Sequence, residues 1–247
     1  MIDLIKADLR RIIGKKSFRR VLETVAVIAL LMVFAEKKND FNGLLYAMNR
    51  YNALTNFIAL FVGIASFIGI YADEFSAKTL QSVIGRGIPR YKVIAVKLID
   101  CTVLVSCVFF VFWMFLLVLG LLLGAKMNAE EYKMLALAAV CGAYIVICAT
   151  PIAAAVIFAT DNAALSVFIE ILIISAVPLV FSLLDNVLFV HNSHIAAYSI
   201  NGFANEFFSS MVLYGGGVGK FILGAVIYLG LSYIFTVLIA GKKELEF

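Results

Sequence analysis

Long apolar runs separated by short polar segments organise this chain. A helix that crosses a bilayer takes roughly 20 predominantly apolar residues. Six stretches fit, with soft borders: 17–36, 53–72, 98–125, 134–159, 163–184 and 218–240. The first is short in apolar content; it carries Glu23 and takes its opening turn from residues 17–20. The third is longer than a bilayer requires, so it tilts or projects. Ahead of them, Ile2, Ile5, Leu9, Ile12 and Ile13 recur at helical spacing within residues 1–16, with Lys6, Arg10, Lys15 and Lys16 on the remaining faces. That pattern predicts a helix in the membrane interface, its apolar stripe in lipid and its cations near anionic headgroups. No internal repeat, low-complexity tract or linker interrupts the series, and the only prolines are Pro89, Pro151 and Pro178. The expectation is a single all-α membrane domain over 1–247, kinked at Pro151 and Pro178.

Composition agrees with that pattern. The chain is 64% hydrophobic and 15% charged, with a mean hydropathy of +1.04. Soluble domains sit near 45–50% apolar and about 25% charged, so a soluble globular class is excluded. Cys101, Cys107, Cys141 and Cys148 all fall inside apolar runs and read as buried free thiols, not a disulfide framework. No cleavable signal peptide is expected, because the first apolar run lacks a small-residue cleavage site. Orientation follows from Lys and Arg. Seven lie between Lys6 and Arg20, five between Lys78 and Lys97, and two at Lys242 and Lys243, against six on the opposite side. Both termini are therefore expected in the cytoplasm of a multi-pass plasma-membrane protein, with no nucleic-acid partner.

The segment 74–97 is the most ordered of the polar interruptions. Glu74 to Gln81 can form a helix, with Asp73 near its N-terminus, where a carboxylate suits the dipole. Gly85 and Gly87 relax the backbone, and Pro89 opens the next helix with its fixed φ. Arg90, Lys92 and Lys97 then lead into the third span. The predicted result is helix, sharp turn, helix at the membrane surface; a plain positive-inside anchor is the simpler alternative.

Glu74, four residues on Thr79, then Leu80, and the seven-residue step from Arg90 to Lys97 resemble the first cytoplasmic loop of ABC-2 type permeases, the membrane subunits of many bacterial ATP-driven exporters. Lys78 stands where that family usually has Gly, and Pro89 where it has Ser. The resemblance implies that Glu74, Thr79, Leu80, Arg90 and Lys97 form a coupling element docking on separate ABC ATPase subunits. It also implies that residues 1–16 are the elbow helix before span one, and that six spans pair as a homodimer or heterodimer with a related permease. ATP and magnesium would then sit on the partner ATPase, with no cofactor and no catalysis on this chain. Small chains of this kind resemble subunits that expel antimicrobial peptides, lantibiotic self-protection systems among them; a drug or a lipid are the other substrates implied.

Residues 185–217 are long for a loop, lack Lys and Arg, and are apolar. Phe203, Phe207 and Met211 share helical spacing before Gly215, Gly216 and Gly217, a candidate hinge. Either an interfacial helix or, as the resemblance implies, re-entrant helices forming an outer gate would account for them. His191 and His194 with Asp185 have spacing that suits zinc but lack a convincing further ligand, so no metal site is assigned. Glu170 lies about 10 Å into span five at 1.5 Å per residue. It is a candidate pathway or seam residue, or else a protonated, hydrogen-bonded packing group. Gly120 and Gly124 form one small-xxx-small pair. The run Gly215–Phe221 imitates a phosphate loop, but Tyr214 and Phe221 stand where the motif needs Gly and Ser or Thr. The rival classes are a secondary transporter, which would want paired broken helices, and an intramembrane enzyme, for which neither a Gly-x-Ser-x-Gly elbow nor an intramembrane aspartate pair is present.

Overall fold

A computed structural model describes residues 2–36, 42–76, 89–187 and 195–242. They are almost wholly helical; the only β pairing among them is an isolated bridge between Asn42 and Lys126. The elements are α1 (Ile2–Gly14), α2 (Lys16–Glu36), α3 (Gly43–Phe75), α4 (Arg90–Leu123), α5 (Ala129–Thr160), α6 (Ala163–Asp185), a 3₁₀ turn (Ile195–Tyr198), α7 (Ile200–Leu213) and α8 (Val218–Lys242).

Five of these, α3 to α6 and α8, are long and apolar enough to cross a membrane. The expected first span is the exception. Helix α2 has 21 residues, but Lys16, Arg19, Arg20 and Glu23 occupy its start and Glu36 its end. Its uncharged stretch, residues 24–35, is about 18 Å long at 1.5 Å per residue, short of a hydrocarbon core of about 30 Å.

Helix borders extend beyond those expected. Span two begins at Gly43, not 53, because Arg50, which reads as loop, is a buried helical residue. Its guanidinium pairs with Glu36 and lies 5.3 Å from the centre of the Tyr46 ring. Span three opens at Arg90 directly after Pro89, whose φ of −65° and extended ψ make it the N-cap. Span four opens at Ala129, earlier than 134, because the Glu131 carboxylate accepts the Asn128 backbone N–H at 2.6 Å in a capping box. The Gly120/Gly124 pair divides its work. Gly120 lets Tyr46 pack against α4, whereas Gly124, at φ 88°, ends the helix.

Helix α5 is the centre of the bundle, packed by α3, α4, α6, α7 and α8. Its apolar stretch is 78% buried, against 11% in α6 and 17% in α8. The helix continues through Pro151. In α6 a π segment, Leu172–Ala176, precedes Pro178 and widens the turn where the proline ring would crowd the carbonyl four residues back. Helix α3 holds two more π segments, Ala53–Ile58 and Ile68–Ala72. All four cysteines are free; Cys101, Cys141 and Cys148 are buried as expected, but Cys107 is exposed on the outer face of α4.

Candidate functional site

The sequence candidates fall at three levels. The base of the bundle is the end where α1 meets the last turn of α3, and where Arg90 at the start of α4 donates to the carbonyl of Ala240 near the end of α8. Asp8 and Arg11 share one face of α1 at i and i+3, and Lys15 follows directly after the end of that helix. Arg11 and Lys15 pair with Glu74 and Asp73 respectively. Lys97 is buried and donates from Nζ to both Asp8 and Glu74 at 2.6 Å. Asp100, one turn further along α4, is fully buried with its carboxylate 3.9 Å from Lys97 Nζ.

Glu74, Arg90 and Lys97 are therefore all at the base. Glu74 and Lys97 meet directly, and α1 is clamped to both. Thr79 and Leu80, with residues 77–88 as a whole, lie outside the described residues, as do His191 and His194. On α1, Ile12 is fully buried and Leu9 packs against the core, so part of the apolar stripe faces protein, while Ile13 stays exposed. Lys15, expected at headgroups, is tied to Asp73. Asp8 and Asp100 are members that sequence reasoning passed over. Their signal was the i, i+3 spacing of Asp8 to Arg11 and of Lys97 to Asp100, two complementary pairs whose meeting only the fold supplies.

Midway up the bundle, Glu170 is fully buried. One carboxylate oxygen accepts the Thr150 hydroxyl at 2.7 Å, and the other has no hydrogen-bond partner among the described residues. Gly63 on α3 makes room: a Cβ there would fall 2.8 Å from the Ile174 side chain and 3.3 Å from the Glu170 carboxylate. Ser66, one turn along α3, is also fully buried with its hydroxyl unpartnered among the described residues. Glu170 thus faces the bundle interior and not lipid.

At the apex, α7 packs against α5 and α8. Phe207 is buried and stacks on Phe221 with ring centres 4.1 Å apart; Phe221 in turn stacks on Tyr144 at 4.2 Å. Phe203 meets Tyr228 edge-on. Met211 packs on the core, and its carbonyl accepts Lys133 Nζ at 3.1 Å. Tyr51 of α3 donates to Asn205 and stacks on Phe208 with centres 4.0 Å apart. The chain then turns through Gly215 and Gly217, both left-handed at φ 69° and 94°, into α8. The tip of α7 thus adjoins the first turn of α8, while Tyr198 before it accepts the Tyr228 hydroxyl, ten residues further along α8. The Phe203, Phe207, Met211 stripe is a packed surface, and its partners Tyr144 and Phe221 were not singled out by the sequence.

Among the described residues no group of three or more His, Cys, Asp or Glu could hold a metal ion. The base is a charge-compensated clamp, the middle a solitary buried carboxyl, and the apex an aromatic lock. Compared with known proteins, the chain matches no protein-family model and no curated sequence.

Proposed function

We propose that this chain is the permease subunit of an ATP-driven exporter of the ABC-2 type, working as a dimer with separate ATPase subunits. The observation that carries this reading is the basal clamp. Helix α1, the end of α3 and the start of α4 are joined by Glu74, Lys97, Asp8 and Arg11 through buried or half-buried ion pairs. The end of α3 and the start of α4 flank residues 77–88, the proposed coupling segment. A push delivered there would move α1, α3 and α4 together, because separating a buried ion pair is strongly unfavourable. Helix α2 then serves as the sixth span, with Arg19 and Arg20 reaching to the cytoplasmic headgroups. Residues 195–213 act as re-entrant helices closing the outer exit. Helices α6 and α8, so little buried within one chain, offer the faces on which a second permease would close a pathway for an antimicrobial peptide, a drug or a lipid.

Affinity purification of the tagged chain from its native membranes tests this. An ATPase subunit should come with it, and Leu80→Asp should release that subunit while the chain still inserts. Capture of no ATPase in either case rejects the reading. A second reading, transport driven by a proton gradient without an ATPase, is favoured by the buried carboxyls of Asp100 and Glu170. Transport by the purified chain alone in proteoliposomes, abolished by Glu170→Gln, would decide for it.

A further inference from the structure

Of the carboxyls gathered around Lys97, Asp100 is the one that no cation holds closely. Lys97 Nζ lies 2.6 Å from both Asp8 and Glu74 but 3.9 Å from Asp100, and Arg11 turns to Asp8 and Glu74. Asp100 is also the most deeply placed, at 0% exposure, and neither of its oxygens meets a hydrogen-bond donor among the described residues. The carboxyl of Asp8 on α1 lies within hydrogen-bonding reach of it. Glu74 and Tyr71 of α3 and Cys101 on its own helix complete its charged and titratable surroundings, with Glu170 of α6 beyond Tyr71 and Cys101. Helix α5 presents Thr150 there, which carries no charge.

Two ionised carboxylates so placed would repel, and neither would offer the other a donor. A carboxylic acid beside a carboxylate forms instead an O–H···O⁻ bond, which is shorter and stronger than a neutral one. Like-charged carboxyls in contact commonly share one proton for this reason. Asp8 is the member attended by Lys97 and Arg11, so it keeps its charge and accepts. The proton then resides on Asp100, which donates.

We propose that Asp100 and Asp8 form a binding site for one proton, and that this proton latches α1 onto α4. The site needs no opening wide enough for a ligand. The Asp8 side chain is 16% exposed, so a proton enters from water at the base and passes along a single hydrogen bond. Releasing α1 takes Asp8 away and frees Lys97 to pair with Asp100 as an ion. The docked state therefore binds one proton more than the released state. Docking is then favoured at low pH and weakens as pH rises, by up to about tenfold per pH unit. The inference stands on the carboxyl pair and does not depend on how transport is driven.

Two measurements on the full chain in lipid nanodiscs test this. Ile12 of α1 is fully buried against α3, where a Cβ on Gly69 would stand 3.0 Å from it, whereas its neighbour Ile13 is exposed. Undocking α1 uncovers Ile12. In a Cys107→Ser background, the other three cysteines being buried, the maleimide reaction rate of Ile12→Cys is divided by that of Ile13→Cys. The ratio cancels the effect of pH on the thiol itself, and it should rise about tenfold or more from about pH 5 to about pH 9. Adding Asp100→Asn, which is neutral at every pH and donates its own N–H to Asp8, should keep the ratio low and flat. Infrared difference spectra across the same pH range read the proton directly. The carbonyl stretch of a protonated carboxyl should be lost as pH rises, a loss that persists in Glu170→Gln and is absent in Asp100→Asn. A ratio that stays flat in the parent, an equal pH response in Asp100→Asn, or an infrared change that Asp100→Asn leaves intact overturns the proposal.

Discussion

The two ends of the bundle are held by opposite chemistry. At the base, three helices, α1, α3 and α4, meet through carboxylates and cations, with Lys97 between Asp8 and Glu74. At the apex, α7 is seated by rings, with Phe207, Phe221 and Tyr144 in one stack. Ion pairs away from water are directional and unforgiving, because removing one partner strands the other. Ring stacks add about 0.5–1.5 kcal/mol beyond burial and tolerate sliding between offset geometries. The base is thus built to keep its register, and the apex to be displaced at modest cost.

Four substitutions break or sharpen this contrast. Lys97→Met should do the most damage, about 3–5 kcal/mol, because Asp8, Glu74 and Asp100 lose their shared cation. Thermal unfolding in detergent reads it, and adding Glu74→Gln should recover part of the loss. If the single variant melts like the parent, the base is not a clamp. Glu170→Lys should follow at roughly 2.5–3.5 kcal/mol, whereas Glu170→Gln, still able to accept from Thr150, should stay within about 1 kcal/mol. A yield of folded protein for Lys equal to that for Gln would mean the site is wetter than its burial implies.

At the apex, Phe207→Leu keeps most of the volume and removes the ring stack, so about 1 kcal/mol is expected. A loss rivalling that of Lys97→Met in the same melting assay would erase the contrast. Smallest is Arg11→Gln. Its side chain is 35% exposed, so the pair with Glu74 is largely screened and well under 1 kcal/mol should be seen, shrinking further in high salt.

Much of this architecture is written in the apolar runs. Helix α4 to α6 and α8 were legible because each run is longer than a soluble helix needs and is bounded by turn residues such as Pro89 and Asn162. The start of α3 was not, since Arg50 reads as a loop cation until Glu36 and Tyr46 are seen beside it. Glu74 and Lys97 could be singled out from a spaced pattern, and they do meet. Asp8 could not, because a lone carboxylate on an amphipathic helix looks like solvated charge, and nothing local says which distant lysine it will face. A gap among α4, α5 and α8, lined by Ala136, Ala139 and Ala143, was similarly hidden, because three alanines at helical spacing are equally good as a packing surface.

Helix α3 connects the two ends as a single piece. Tyr51, which holds α7, and Glu74, which holds α1, are 23 residues apart on an uninterrupted helix, about 34 Å along its axis. Between those two anchors lie both π segments, Ala53–Ile58 beside the first and Ile68–Ala72 beside the second. Relaxing either wide turn to the ordinary α pitch would re-pair its backbone from i→i+5 to i→i+4, rotate everything beyond it by about 100° and advance it by about 1.5 Å. Helix α3 thus carries a local store of twist beside each of its two anchors.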